Sequence, residues 1–140
     1  MIGSKVTASF CVALALFLLW TLKVGAVSSP SAMGEVSGSV RCVVDGDSLY
    51  ISGYDPQISL WGVDAPEDDE TGFKDATEIL KRLALKKAIT CQSVDTDKYG
   101  RTVARCFLKD GREVNAEMIA SGTAVEYHHF SKGFYTNRTD

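Results

Sequence analysis

The residues of this chain best suited to chemistry on an anionic ester fall in three short segments: Val44-Asp45-Gly46-Asp47-Ser48, Leu60-Trp61-Gly62-Val63-Asp64-Ala65-Pro66-Glu67 and Asp97-Lys98-Tyr99-Gly100-Arg101. If Asp47 and Asp64 are brought together, their carboxylates offer hard oxygen ligands of the kind that Ca²⁺ or Mg²⁺ takes, with a backbone carbonyl and waters completing the shell. Glu67, left outside that shell, can orient or deprotonate a water molecule. The planar fork of Arg101 matches two oxygens of a phosphate. Each residue also has an ordinary structural use. Asp45 and Asp47 around a glycine are turn formers, Asp64 and Glu67 around Pro66 suit a helix start, and Arg101 could pair with an exposed acid. In isolation none of these signals is specific.

Such a site requires elements that carry the three segments to one pole. Val36 to Val44 is rich in valine and runs into the turn Asp45-Gly46-Asp47, after which Ser48 to Tyr54 alternates as a second strand, so a hairpin is expected. A third strand is expected over Gln57 to Val63, stopping at Asp64-Ala65-Pro66. Phe73, Ala76, Ile79, Leu80, Leu83 and Ala84 then recur at helical spacing, with Lys81, Arg82, Lys86 and Lys87 towards the C-terminal end, where the helix dipole favours cations. Ala88 to Asp95 and Thr102 to Leu108 read as two strands around a turn. If that turn is centred between Lys98 and Tyr99, Cys91 and Cys106 face each other, and a cross-strand disulfide is expected. Val114 to Ala120 reads as a short helix ended at Ser121-Gly122. Short strands interrupted by a helix predict a mainly β fold with helices, a small barrel of α+β type.

The chain has 140 residues, enough for one domain and one core. Its first part is a separate object. Lys5 precedes an uncharged apolar run over residues 6–22, followed by Lys23 and the small residues Gly25 and Ala26. This pattern predicts that residues 1–26 are a secretory signal cleaved after Ala26 or a retained N-terminal membrane anchor, so the domain is expected to be exported, periplasmic or secreted. Residues 27–35 are expected to be a linker, and 36–140 the working domain. Removing residues 1–26 shifts the formal charge from −3 to about −5. A strongly basic nucleic-acid clamp is thereby excluded, and any polyanionic substrate must be held by a few local cations or a bound metal ion. No Cys-x-x-Cys spacing points to structural zinc. The adjacent His128 and His129 read as surface residues.

Taken in order, Asp-Gly-Asp-Ser, Trp-Gly-Val-Asp-Ala-Pro-Glu, Asp-Lys-Tyr-Gly-Arg and the weaker Val-Asn-Ala-Glu-Met-Ile-Ala-Ser-Gly resemble the staphylococcal thermonuclease family, over about Val36 to Tyr127. The resemblance implies an OB-fold, a five-stranded β-barrel with helices, and Ca²⁺-dependent hydrolysis of phosphodiesters in DNA and RNA. It also implies that Asp47 and Asp64 are metal carboxylates, that Ala65 supplies a carbonyl ligand, and that Glu67 is the general base. Arg101 matches one of two catalytic arginines. The other belongs five residues before the second metal aspartate, in the pattern Ile-Arg-Leu, and here the triplet is Ile58-Ser59-Leu60.

A serine hydroxyl is short, neutral and offers one donor, so Ser59 cannot grip and neutralise a scissile phosphate as an arginine does. Arg41 and Arg105, on neighbouring strands, are the cations that could stand in. The family also continues into a C-terminal helix, whereas this sequence ends at Asp140, which is expected to leave part of the barrel thinly covered. Two functional readings follow. One is a weak exported Ca²⁺-dependent nuclease acting on nucleic acid, with membrane association through residues 6–22. The other is a catalytically degenerate module of the same fold, since small exported proteins of this kind also resemble one from exopolysaccharide (succinoglycan) biosynthesis.

Overall fold

The computed structural model describes residues 33–138, so the predicted signal or anchor over 1–26, its apolar run 6–22 and most of the linker lie outside the described residues. Seven strands and three helices follow in chain order. They are β1 (Gly34–Asp45), β2 (Ser48–Ile51), β3 (Ile58–Leu60), β4 (Val63–Asp64), α1 (Phe73–Ala84), β5 (Ala88–Thr96), β6 (Thr102–Leu108), α2 (Val114–Ala120), β7 (Val125–Glu126) and α3 (His128–Ser131), with a 3₁₀ turn at Thr136–Arg138. Strands β1, β2, β3, β6 and β5 close into a five-stranded barrel of OB type, while β4 and β7 form a separate two-stranded sheet. All barrel pairs are antiparallel except β3 with β6. Among the described residues no helix is long and apolar enough to cross a membrane.

Alternation along the strands fills the barrel. Val40, Leu49, Ile51, Ile58, Leu60, Ala104 and Cys106 are buried, and Leu80 of α1 with Val114 and Met118 of α2 extend the same core. Burying such side chains is the main stabilising term, about 1.5–3 kcal/mol each for the larger ones. Asn115 is polar yet fully buried beside this core, and it is satisfied on both sides. Its Oδ1 accepts the Cys106 N–H at 2.9 Å, and its Nδ2 donates to the carbonyls of Trp61 at 2.9 Å and Ala104 at 3.1 Å. One buried amide thus ties α2 to β6 and to the turn that leads into β4.

Several expectations about the strands are corrected. β1 begins at Gly34, two residues before Val36. β2 stops at Ile51 rather than Tyr54, because Gly53 turns the chain with φ 78° and the Tyr54 N–H closes back on the Ile51 carbonyl. The strand expected over Gln57 to Val63 is two strands. Gly62, with φ 70°, breaks it, and β4 leaves the barrel to pair with β7. In the β5–β6 hairpin Cys91 faces Cys106, and the two are joined by a disulfide. Near the turn, however, Asp95 faces Val103 and Thr96 faces Thr102, so the turn centres on Tyr99 and a bulge after Ser93 restores the register.

The wall expected to be thinly covered is covered. Trp61 meets Phe134 edge-on, with ring centroids 5.3 Å apart, and Tyr135 at 5.9 Å. Glu126 fastens this C-terminal segment. Its carboxylate accepts hydrogen bonds from the Ser131 hydroxyl, the Thr136 hydroxyl and the backbone N–H groups of Tyr135 (3.0 Å) and Thr136 (2.8 Å). Burial alone would raise the Glu126 pKa, and these donors outweigh it, holding the group at about 2.

Candidate active site

The first segment is a turn built by its own aspartate. Asp45 Oδ1 accepts the Asp47 N–H at 3.1 Å and the Ser48 hydroxyl at 2.6 Å, fixing the reversal between β1 and β2. Gly46 is buried against α1 and the second segment. A Cβ there would lie 2.6 Å from Ala76 Cβ and 2.7 Å from Ala65 Cβ. With that approach allowed, Asp47 Oδ2 accepts the Ala65 N–H at 3.1 Å, and the Leu60 N–H donates to the Asp47 carbonyl at 2.8 Å. These contacts join the first two segments and set the Asp47 carboxylate beside Asp64-Ala65.

Asp64 is exposed at the end of β4, and its neighbour Ala65 is buried. Both line a cleft of about 290 Å³ shared with Pro66, Glu70, Thr123 and Val125. The following loop is held by a reciprocal pair: the Glu67 N–H donates to Glu70 Oε2 at 2.8 Å, and the Glu70 N–H to the Glu67 carbonyl at 2.8 Å. This leaves the Glu67 carboxylate in solvent but close enough to act electrostatically on Asp47.

The third segment is again organised by an aspartate. Asp97 Oδ1 accepts the N–H groups of Tyr99 and Arg101, each at 2.9 Å, while Oδ2 takes Arg101 Nε at 2.6 Å. Holding the guanidinium by Nε leaves its outer edge to face a ligand. Tyr99 is largely exposed, with Lys98 Nζ 5.0 Å and Arg101 Cζ 5.7 Å from its ring centroid.

The charges of these segments act on one another. Burial, the adjacent Asp45 carboxylate and the more distant Glu67 push Asp47 up to about 7, against the Ala65 N–H, which favours its anion. Partial burial of Arg101 disfavours its charge, but Asp97, then Asp47 and Asp45, reverse the balance and raise its pKa. Asp47, Ala65, Glu67 and Arg101 therefore share one pole of the barrel, with Asp64 beside them in sequence. Asp47 and Asp64 with the Ala65 carbonyl are hard oxygen donors, and the crowding of Asp47 by like charge is what a divalent cation would relieve. Among the described residues no three His, Cys, Asp or Glu side chains are grouped to hold a metal by themselves, so carbonyls and waters would have to complete such a shell.

Ser59 lies in β3 opposite Ser48 of β2 and beside Val103 of β6, half-buried. No arginine replaces it from β6. Arg105 is buried, with Nε 2.7 Å and Nη2 2.8 Å from the two Glu113 oxygens, and its guanidinium lies over Phe134 at 4.6 Å. From the sequence Asp45 reads only as a turn former, and Asn115 carries no role. An acid two and three residues before Asp47 and Ser48 is the spacing of a side chain that caps its own turn. An asparagine between Val114 and Met118 on a buried helix face demands partners.

Comparison with known proteins points the same way. The model of the family described as staphylococcal nuclease homologue matches residues 57–139. The succinoglycan biosynthesis protein ExoI of Rhizobium meliloti (strain 1021) is 33% identical over 134 residues, covering 84% of this chain and 69% of that protein. An uncharacterized endonuclease of Escherichia coli O157:H7 is 30% identical over 106 residues, covering 74% and 69% respectively. Endonuclease YhcR of Bacillus subtilis (strain 168) is 31% identical over 115 residues, covering 70% of this chain and 9% of that protein.

Proposed function

The chain belongs to the staphylococcal nuclease homologue family, and from that premise we propose that its barrel is a weak, Ca²⁺-dependent phosphodiesterase acting on DNA or RNA outside the cytosol. The observation that carries this reading is the Asp47 carboxylate bonded to the Ala65 N–H, which closes the β1–β2 turn onto the Asp64–Glu67 loop while Arg101 feels its charge. Asp47, Asp64 and the Ala65 carbonyl would hold the cation. When bound, it would supply Lewis-acid polarisation of the phosphate.

The chain's own groups would divide the remaining work. Glu67, exposed on a loop fixed by Glu70, would orient a water and take its proton as the water oxygen bonds to phosphorus and the bond from phosphorus to the ester oxygen breaks in line. The outer edge of Arg101 would receive the charge gathering on the phosphate oxygens. Tyr99, beside it and exposed, offers a face on which a base can stack. Ser59 supplies no second cation, and arginines in this role contribute about 10³ to 10⁵ in rate in other phosphoryl-transfer enzymes, so turnover is expected to be slow.

The likeness to a succinoglycan biosynthesis protein, together with Ser59, favours one alternative: a non-catalytic module that keeps the acidic pole for binding. Incubating the protein with single-stranded DNA separates the two. Cleavage that requires Ca²⁺ and stops with a chelator supports the nuclease. The absence of chelator-sensitive cleavage at high protein concentration excludes it. The export assignment rests on residues 1–26 of the sequence alone.

A further inference from the structure

We propose that Arg41, laid over Tyr50 on the outside of the β1–β2 hairpin, is the contact that holds the backbone of a single-stranded nucleic acid beside Ser59. The proposal rests on the nuclease reading for its substrate class. An acidic domain without a basic clamp must grip a polyanion through particular cations, and the cations around the pole are already partly spoken for. Arg101 is held at Nε by Asp97, and Arg105 is buried against Glu113. Arg41 is exposed and has no carboxylate partner among the described residues.

Its position follows from the strand register. Val40 faces Ile51 and Cys42 faces Tyr50, so Arg41 is the extra residue of a bulge, and both Arg41 and Cys42 lie outside the barrel. Leu49 and Ile51 point inward and are fully buried, which sends Ser48 and Tyr50 to the other face. Ser48 faces Ser59, and its hydroxyl bonds to Asp45. That face therefore carries, in order, the Asp45–Asp47 turn, half-buried Ser59 opposite a fully buried Ser48, and half-buried Tyr50 with the Arg41 guanidinium 4.7 Å from its ring centroid. Alternate residues along a strand are separated by about 7 Å. A strand of nucleic acid with one phosphate at the acidic pole can thus lay its neighbouring sugar-phosphate across the β2–β3 surface to Arg41.

The stacked arrangement suits that task. A guanidinium held over a tyrosine ring is ordered before the ligand arrives and keeps its N–H donors free for two phosphate oxygens. Because Arg41 lies along the strand from the reacting groups, it is a positioning residue. It would affect capture of the substrate and leave the chemical step alone.

The test compares the full chain with Arg41→Ala and Arg41→Lys, using a fluorescein-labelled oligothymidylate of about twelve nucleotides. Fluorescence anisotropy across a salt series gives Kd and its salt slope, and cleavage kinetics give KM and kcat. Arg41→Ala should weaken Kd by about ten-fold and reduce the slope by about 0.7, the value for one phosphate contact on a single strand. KM should rise with kcat unchanged. Arg41→Lys should restore the slope while recovering only part of the affinity, because lysine keeps the charge and loses the fork. Equal Kd and slope for Arg41→Ala and the unsubstituted chain would overturn the inference, as would an unsubstituted chain that does not bind the oligonucleotide. A chain that binds but never cleaves would remove the nuclease reading, and the Arg41 contact would still be decided by Kd and slope.

Discussion

The smallest feature on which the site depends is a missing side chain. Gly46 lets Ala76 of α1 and Ala65 of the second segment close onto the turn, and the Asp47 to Ala65 hydrogen bond exists because they do. Adding one methyl group would place a carbon within 2.7 Å of both alanine Cβ atoms, which neither a helix nor a short loop can yield without moving backbone. Gly46→Ala is therefore expected to cost about 1–3 kcal/mol, the range for overpacking, and to abolish any metal-dependent activity beyond what the stability loss explains. Thermal unfolding and cleavage measured together would check this, and a variant with full stability and activity would contradict the packing described. Chemistry-bearing residue types were legible in the sequence because motif spacing is local. What could not be read were the endpoints of long side chains. Arg41 and Arg105 looked equivalent as letters, and only the structure distinguishes a guanidinium stacked on Tyr50 from one enclosed by Glu113 and Phe134.

Among the elements, the segment after α2 is the least legible and has the clearest energetic signature. Beside the packing on Trp61, its main fastener is one carboxylate, Glu126, whose four donors lie at Ser131, Tyr135 and Thr136 and belong to no periodic pattern. The folded pKa of Glu126, about 2, is below its ordinary value of 4.5. Its contribution, on the order of 3 kcal/mol at 1.36 kcal/mol per unit, is fully present above pH 4.5 and is lost as pH falls towards 2. Glu126→Gln should cost about 2 kcal/mol at neutral pH and flatten the acid limb of the stability curve between about pH 4.5 and 2. Denaturant unfolding across that range is the measurement, and an unchanged acid limb would show that the carboxylate is not the fastener. By contrast, α1 and the β5–β6 hairpin were readable because their apolar residues recur at regular spacing. The split of β3 from β4 was not, since Gly62 acts through a left-handed turn that the apolar run around it conceals.

For the molecule as a whole, closure of the barrel depends on β5 and β6, and the Cys91–Cys106 bond joins them across a sequence separation of 15. A loop of that length corresponds to about 3 kcal/mol of stabilisation. Replacing both cysteines by alanine should lower the denaturant midpoint accordingly, whereas an unchanged midpoint would mean that the sheet alone fixes this edge. Such a frame has an acidic balance, one arginine aimed at the pole and a serine where the resemblance implies another. On the proposed nuclease mechanism, the other groups of the site already stand in place around Ser59. The single-turnover rate of single-stranded DNA cleavage at saturating Ca²⁺, compared between the unsubstituted protein and Ser59→Arg, tests it most directly. A rise of about ten-fold or more, abolished by a chelator, is expected. Equal rates would contradict it, because a restored arginine can help only where the remaining groups already stand in place.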